Sequence, residues 1–294
     1  MRGRWAFFQA IFRIGGLLAL TAPVGGCSKF AILDATIPSD KYISQTTVTY
    51  GPLLREQLDV YRPAHPGTGR DIVIFFYGGD WQTGEREGYR FVADALTANG
   101  FFVVIPDYRL YPQVQFPAFM RDGAAAVRWV HDHAAEIGGD PKHIFLMGHS
   151  AGAHIATLLT LDERYLKEVG LDRSAIRATV GLSGPYDFVP LPEDLAVFGM
   201  SSEDQTPPPD IEPIHFVDGR APPILLIHGD ADPTLNVGNA YRLAGAIRTA
   251  GGNVTLLVYP RMDHVGVVLS FAWEFRWIAP TLGDVTVYFR GHEQ

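Results

Sequence analysis

Ile144-Phe145-Leu146-Met147-Gly148-His149-Ser150-Ala151-Gly152 decides how this chain is read. A short apolar run, the size of a buried strand, stops at Gly-x-Ser-x-Gly. An apolar stretch over 153–161, long enough for a helix, follows it. This is the layout of a nucleophile elbow. The turn is too tight for side chains two positions either side of the serine, and it leaves the hydroxyl exposed above the sheet. A glycine-rich chain also produces Gly-x-Ser-x-Gly by chance, so the motif carries weight only with its partners.

A serine hydroxyl needs a base to become a nucleophile, and the base needs an orienting carboxylate. After such an elbow the partners follow in the order acid, then histidine. Pro222-Pro223 introduces the apolar run 224–227, which ends in His228-Gly229-Asp230-Ala231-Asp232. The run 255–259 ends in Pro260-Arg261-Met262-Asp263-His264. Both groups are thereby expected on loops at the sheet edge that carries Ser150. Asp230 and Asp232 compete for the acid. Asp230 follows its strand so closely that it reads as a turn-capping carboxylate, which favours Asp232. Of the ten histidines, His264 alone has the right order, the right strand end and a following helix, expected over 265–278. His149 lies inside the elbow and is expected to point away from the oxyanion side. His228 reads as a hydrogen-bonded loop histidine.

Acyl transfer also needs backbone N–H groups aimed at the developing oxyanion. The buried run 72–76 is followed by Tyr77-Gly78-Gly79-Asp80-Trp81, whose paired glycines allow close approach of backbone to substrate. The expected donors are the N–H groups of Gly79 and Asp80, joined by Ala151 from the elbow.

These residues resemble the α/β-hydrolases of the esterase/lipase superfamily. Within it they are most similar to a carboxylesterase-like branch with bacterial feruloyl-esterase-like and kynurenine-formamidase-like members. The resemblance rests on Gly78-Gly79-Asp80-Trp81, Asp107-Tyr108-Arg109-Leu110, the elbow, His228 to Asp232, and Asp263-His264, and covers about residues 42–280. It implies serine hydrolysis of a small-molecule ester or amide with no cofactor or metal, but not which substrate. A carboxylic ester is the leading expectation and an aryl formamide the alternative. A catalytically dead binding module is the rival of another class, disfavoured because no triad member is missing. Tyr77 departs from the pattern, standing where the family has a histidine that braces the oxyanion loop. Asp80 places a carboxylate in a variable position of that loop. Turned into the site, it would disfavour anionic substrates.

The 294 residues, 47% hydrophobic, suit one large domain, and a net charge of −8 lacks the electrostatic footprint of a nucleic-acid binder. Residues 1–27 read as an export signal: Arg2, Arg4 and Arg13, an apolar core over 14–22, then Val24-Gly25-Gly26-Cys27. Cys27 is the single cysteine, and its setting resembles the lipobox of bacterial lipoproteins. The expectation is lipidation at Cys27, a tether over 28–41 and a domain over 42–294 held at a membrane of the cell envelope. A periplasmic or secreted protein is the alternative.

Strand-like runs at 46–50, 57–61, 72–76, 102–106, 144–147, 178–182, 224–227 and 255–259 alternate with helical stretches at 89–98, 119–137, 151–161 and 237–250. The pattern predicts a doubly wound, mostly parallel eight-stranded α/β domain with an antiparallel edge pair at its start. Asp107 and Arg109 are expected to fix the loop after the fourth strand. The proline-rich stretch of about 184–222 stands where such hydrolases carry a cap or lid. Its Tyr186, Phe188, Phe198, Met200 and Phe216 either line a pocket or pack the insertion down. The alternation Val285, Val287, Phe289 is left as an extra edge strand or a loose tail.

Overall fold

Eight strands build one sheet in the computed structural model, which describes residues 42–67, 70–188, 196–201 and 208–293. They are β1 (Tyr42–Thr49), β2 (Gln57–Pro63), β3 (Ile72–Phe76), β4 (Phe102–Pro106), β5 (Ile144–His149), β6 (Ala178–Leu182), β7 (Ile224–Gly229) and β8 (Val254–Tyr259). Their spatial order is β1-β2-β4-β3-β5-β6-β7-β8. β1 pairs antiparallel with β2, and β2 antiparallel with β4, while all pairs from β4 to β8 are parallel. The sequence explains the division. β3 to β7 are apolar at nearly every position and buried at all of them, as strands covered on both faces must be.

The helices are α1 (Arg90–Thr97), α2 (Ala118–Ile137), α3 (Ala151–Leu161), α4 (Arg164–Glu168), α5 (Gly238–Thr249), α6 (Gly266–Leu269) and α7 (Thr281–Arg290). α1 packs with α7 on one face, where Phe289 meets Phe145 at 4.7 Å between ring centroids. α2, α3 and α5 cover the other face, with Ala153 and Leu161 of α3 sharing a core with Leu243 and Ile247 of α5. Because β3, β5, β7 and β8 run parallel, their carboxyl ends open on one edge of the sheet, and the loops there converge.

Two expectations are corrected. The helix over 265–278 is only the single turn α6, then a 3-10 turn at Trp273–Phe275. Ala272 between them is extended (φ −66°, ψ 136°), and the Ser270 hydroxyl bonds back to the Val267 carbonyl at 2.8 Å and on to Thr281 at 2.6 Å. A serine bonded in this way competes with helix propagation. The segment 284–294 is neither strand nor tail through Arg290. It falls in α7, with Val285 and Phe289 buried on one face and Val287 72% exposed on the other.

The insertion is docked at several points. Tyr186 N–H bonds the Asn239 side chain at 3.0 Å, Phe188 N–H bonds Glu212, and the Arg242 guanidinium pairs with Asp187. Tyr186, Phe188, Phe198 and Met200 are all buried, and Phe216 is half-buried beneath the Arg164 guanidinium. Residues 1–41, with Cys27 and the expected tether, lie outside the described residues. Among the described residues no helix is long and apolar enough to cross a membrane.

Candidate active site

Ser150 sits between β5 and α3 with φ 54° and ψ −122°, a strained conformation for a residue bearing a side chain. Two glycines permit it. A Cβ on Gly148 would lie 2.1 Å from the Gly152 carbonyl oxygen, and one on Gly152 would lie 2.0 Å from that of Phe76. The elbow is thus wedged against the end of β3, and the Ser150 N–H is held by Leu182 O at 2.9 Å.

The loops beyond β7 and β8 bring the sequence-predicted partners to it. Ser150 Oγ lies 2.9 Å from His264 Nε2, and His264 Nδ1 lies 2.8 Å from Asp232 Oδ2. The carboxylate can only accept, so Nδ1 carries the proton and Nε2 is free to take the one on the serine. Asp232 Oδ1 accepts two backbone N–H groups, from Thr234 at 2.8 Å and Leu235 at 2.9 Å. Burial on its own would raise the Asp232 pKa. Hydrogen bonds from His228 and His264 overcome that and hold it well below the usual carboxylate range. Asp230 is turned away from the site and accepts the N–H of Arg261, a positive-φ residue (60°), so it caps the turn as its position suggested.

His149 lies behind this chain of bonds. Its Nε2–H donates to the His264 carbonyl at 3.0 Å, and its ring centre is 5.0 Å from that of His264. Burial, with His264 adding to it, brings its pKa down to about 3, so it is neutral at pH 7 and well below it.

The loop after β3 carries three successive residues with positive φ: Gly79 (132°), Asp80 (54°) and Trp81 (57°). Among the described residues nothing accepts the N–H of Gly79, Asp80 or Ala151, which leaves all three open to solvent or a ligand. Asp80 is exposed. Tyr77 is fully buried, and its hydroxyl donates to Asp107 Oδ1 at 2.8 Å while accepting from Arg55 at 2.7 Å. Burial, then Asp107, drives its pKa up, keeping the phenol protonated as that bond requires. Asp107 is further clamped by Arg86. Arg109 instead pairs with Asp122 of α2 at 2.6 Å, so the two residues fix the loop separately. The Tyr77 phenol occupies the bracing position. The sequence did not show Arg55, which bonds the phenol, or Arg86, which bonds Asp107, because neither belongs to a motif.

At the end of this loop, Trp81 stands edge-on to His154 (5.1 Å) and Phe198 (4.9 Å), with Phe188 packed on Phe198 at 5.1 Å. Phe188 and Phe198 come from the insertion and Trp81 from the β3 loop, so the insertion and that loop share one aromatic cluster.

A mostly parallel eight-stranded sheet with a serine elbow at the end of β5, and an aspartate and a histidine beyond β7 and β8, defines the α/β-hydrolase class. Within that class the chain belongs to the BD-FAE family, whose model matches residues 58–247, more than half of its length. The isoprenylcysteine alpha-carbonyl methylesterase of Arabidopsis thaliana is 28% identical over 243 residues, covering 76% of this chain and 57% of that protein. Esterase LipC of Mycobacterium tuberculosis is 31% identical over 244 residues, covering 76% and 60%. The chain therefore spans less than two thirds of the length of either relative. A truncated carbohydrate esterase from gut microbiota shares the fold with a TM-score of 0.75 at 24% identity, covering 87% of this chain and 98% of that one.

Proposed function

We propose that this chain is a serine carboxylic ester hydrolase working through an acyl-enzyme. The carrying observation is the continuous line of hydrogen bonds from Ser150 Oγ through His264 to Asp232, 2.9 and 2.8 Å long. Ser150 Oγ attacks the ester carbonyl carbon as His264 Nε2 takes its proton. The N–H groups of Gly79, Asp80 and Ala151 receive the oxyanion, and Asp232 stabilises the imidazolium. Collapse expels the alcohol, protonated by His264. A water then gives His264 a proton, attacks the acyl carbon and releases the acid, returning Ser150 to its starting state. Relatives named as esterases support an ester over a formamide.

The test is fluorophosphonate labelling with mass-spectrometric site mapping, alongside turnover of short-chain p-nitrophenyl esters and N-formylkynurenine. Label on Ser150, ester turnover, and a loss of about 10³-fold or more in folded Ser150→Ala are expected. Turnover of the formamide without the esters would overturn the ester assignment, and unchanged turnover in Ser150→Ala would overturn the nucleophile.

We also propose export and a lipid tether through Cys27, supported by the cationic start, the apolar core over 14–22 and the small residues before the single cysteine. The mass of the mature amino-terminal peptide decides it. A diacylated Cys27, lost in Cys27→Ser, is expected, and a mature chain beginning elsewhere without lipid would refute the tether.

A further inference from the structure

His228 closes β7 with its side chain fully buried, and it is not part of the line of bonds from Ser150 to Asp232. Its Nε2 lies 3.1 Å from Asp232 Oδ2 and 3.0 Å from the Leu235 carbonyl oxygen. Neither oxygen can donate, so Nε2 carries the proton; it hydrogen-bonds the Leu235 carbonyl and stands against Asp232 Oδ2. Its Nδ1 is buried without a partner among the described residues, so the ring is held by its Nε2 edge alone. The oxygen it reaches is the one that binds His264 Nδ1 at 2.8 Å.

We infer that His228 is a positioning residue of the ester-cleaving site, holding the Asp232 carboxylate in line with His264 and limiting its basicity through a second N–H bond to Oδ2. The inference rests on the triad reading above. The geometry gives it two consequences. With Thr234 and Leu235 on Oδ1 and two imidazoles on Oδ2, the carboxylate cannot rotate without breaking a bond. A bond shared on Oδ2 also draws charge from the carboxylate, so it pulls less strongly on the proton of His264.

The ring's ionisable surroundings are Asp232 on its own loop, His264 from the loop after β8, and His149 from the end of β5. Asp230 and Asp263 are occupied by the backbone N–H groups of Arg261 and Gly266. Removing the His228 donor therefore acts on Asp232, directly and through Leu235, whose carbonyl it holds and whose N–H binds Oδ1, and through Asp232 on His264.

The experiment compares His228→Gln, whose amide keeps a donor near the Nε2 position, with His228→Leu, which keeps none. His228→Asn, whose shorter amide stops short of Oδ2, stands in should leucine prevent folding. The donor-less variant should lose about ten- to a hundredfold in kcat, with KM within about twofold. The acid limb of its kcat/KM profile should move up by about half a pH unit, because an unshared carboxylate favours the imidazolium. Glutamine should restore both to within about threefold and a few tenths of a unit. Histidine NMR titration of His264 in the full chain should show the same upward movement without any substrate. That readout separates the two readings. A wild type inactive on every ester sinks the hydrolase proposal, while the titration still reads the His228–Asp232 coupling. Unchanged kcat and an unchanged His264 titration in a folded donor-less variant would overturn the inference, as would glutamine failing as badly as leucine.

Discussion

At the scale of single residues, the two aspartates of one loop show how position decides role. Asp230 and Asp232 are two apart in sequence, yet only Asp232 curls back to meet His264, while Asp230 caps Arg261. Asp232→Asn offers His264 an amide where it needs an acceptor and favours the wrong imidazole tautomer. Turnover of a p-nitrophenyl ester should fall by about 10⁴-fold with the fold retained. Asp230→Asn keeps an oxygen for the Arg261 N–H and should change kcat by less than about threefold. Steady-state kinetics on both variants check the pair, and the opposite ranking would move the acid to Asp230. Sequence already pointed to His264 by its order and strand end after the elbow, and to Asp232 because Asp230 follows its strand too closely. His228 was legible only as a loop histidine. Its contact depends on the path by which residues 232–235 return to the strand, and nothing in the spacing encodes that path.

At the scale of elements, the loop after β3 is held from below. The Tyr77 ring is stacked between Tyr108 (4.8 Å) and Tyr89 (5.6 Å), and its hydroxyl ties Asp107 to Arg55. Tyr77→Phe keeps the stack and removes only the hydroxyl. It should cost about 1–3 kcal/mol of stability, since Asp107 and Arg55 each lose a buried partner, and should lower kcat about tenfold with less effect on KM. Urea unfolding and steady-state kinetics measure the two, and a variant as active as wild type would show that the loop needs no brace there. The buried parallel strands were the most legible elements, because short, nearly continuous apolar runs of four or five residues, such as 72–76, 144–147 and 224–227, admit few other readings. α7 was not. Val285 and Phe289 are four apart, a separation shared by the two-residue and 3.6-residue periods, so three alternating residues cannot tell a helix from a strand. The stretch after His264 misled for another reason. Its apolar residues promised a helix, but Ser270 turns back onto Val267, and Trp273 and Trp277 end 69% and 74% exposed.

At the scale of the whole molecule, the insertion and the elbow helix are joined through a buried imidazole, and this ties stability to pH. His154, one turn into α3, donates from Nε2 to the Ile211 carbonyl of the insertion at 2.7 Å. Burial lowers its pKa from 6.5 to about 4, and His149 falls to about 3 for the same leading reason. In each case the folded pKa lies below the unfolded one. As pH drops through 6.5 the unfolded chain takes up protons that the folded chain refuses, and stability falls. Asp71 acts with the opposite sign. Burial, with Glu293 beside it, raises its pKa from 3.8 to about 6, so acidification over that range favours the folded state and offsets part of the loss. Replacing His154 isolates its share. At pH 7, His154→Leu should be less stable than wild type by about 1–3 kcal/mol, because the Ile211 carbonyl loses its donor. The variant has no imidazole to titrate, so the gap should narrow by up to about 1.4 kcal/mol per pH unit as the pH falls from 6.5 towards 4. Urea midpoints for both proteins at neutral pH and at two acidic points within that window measure it. Curves that stay parallel throughout would mean that His154 takes up its proton in the folded state as readily as in the unfolded chain, and that burial beneath the insertion does not keep it neutral.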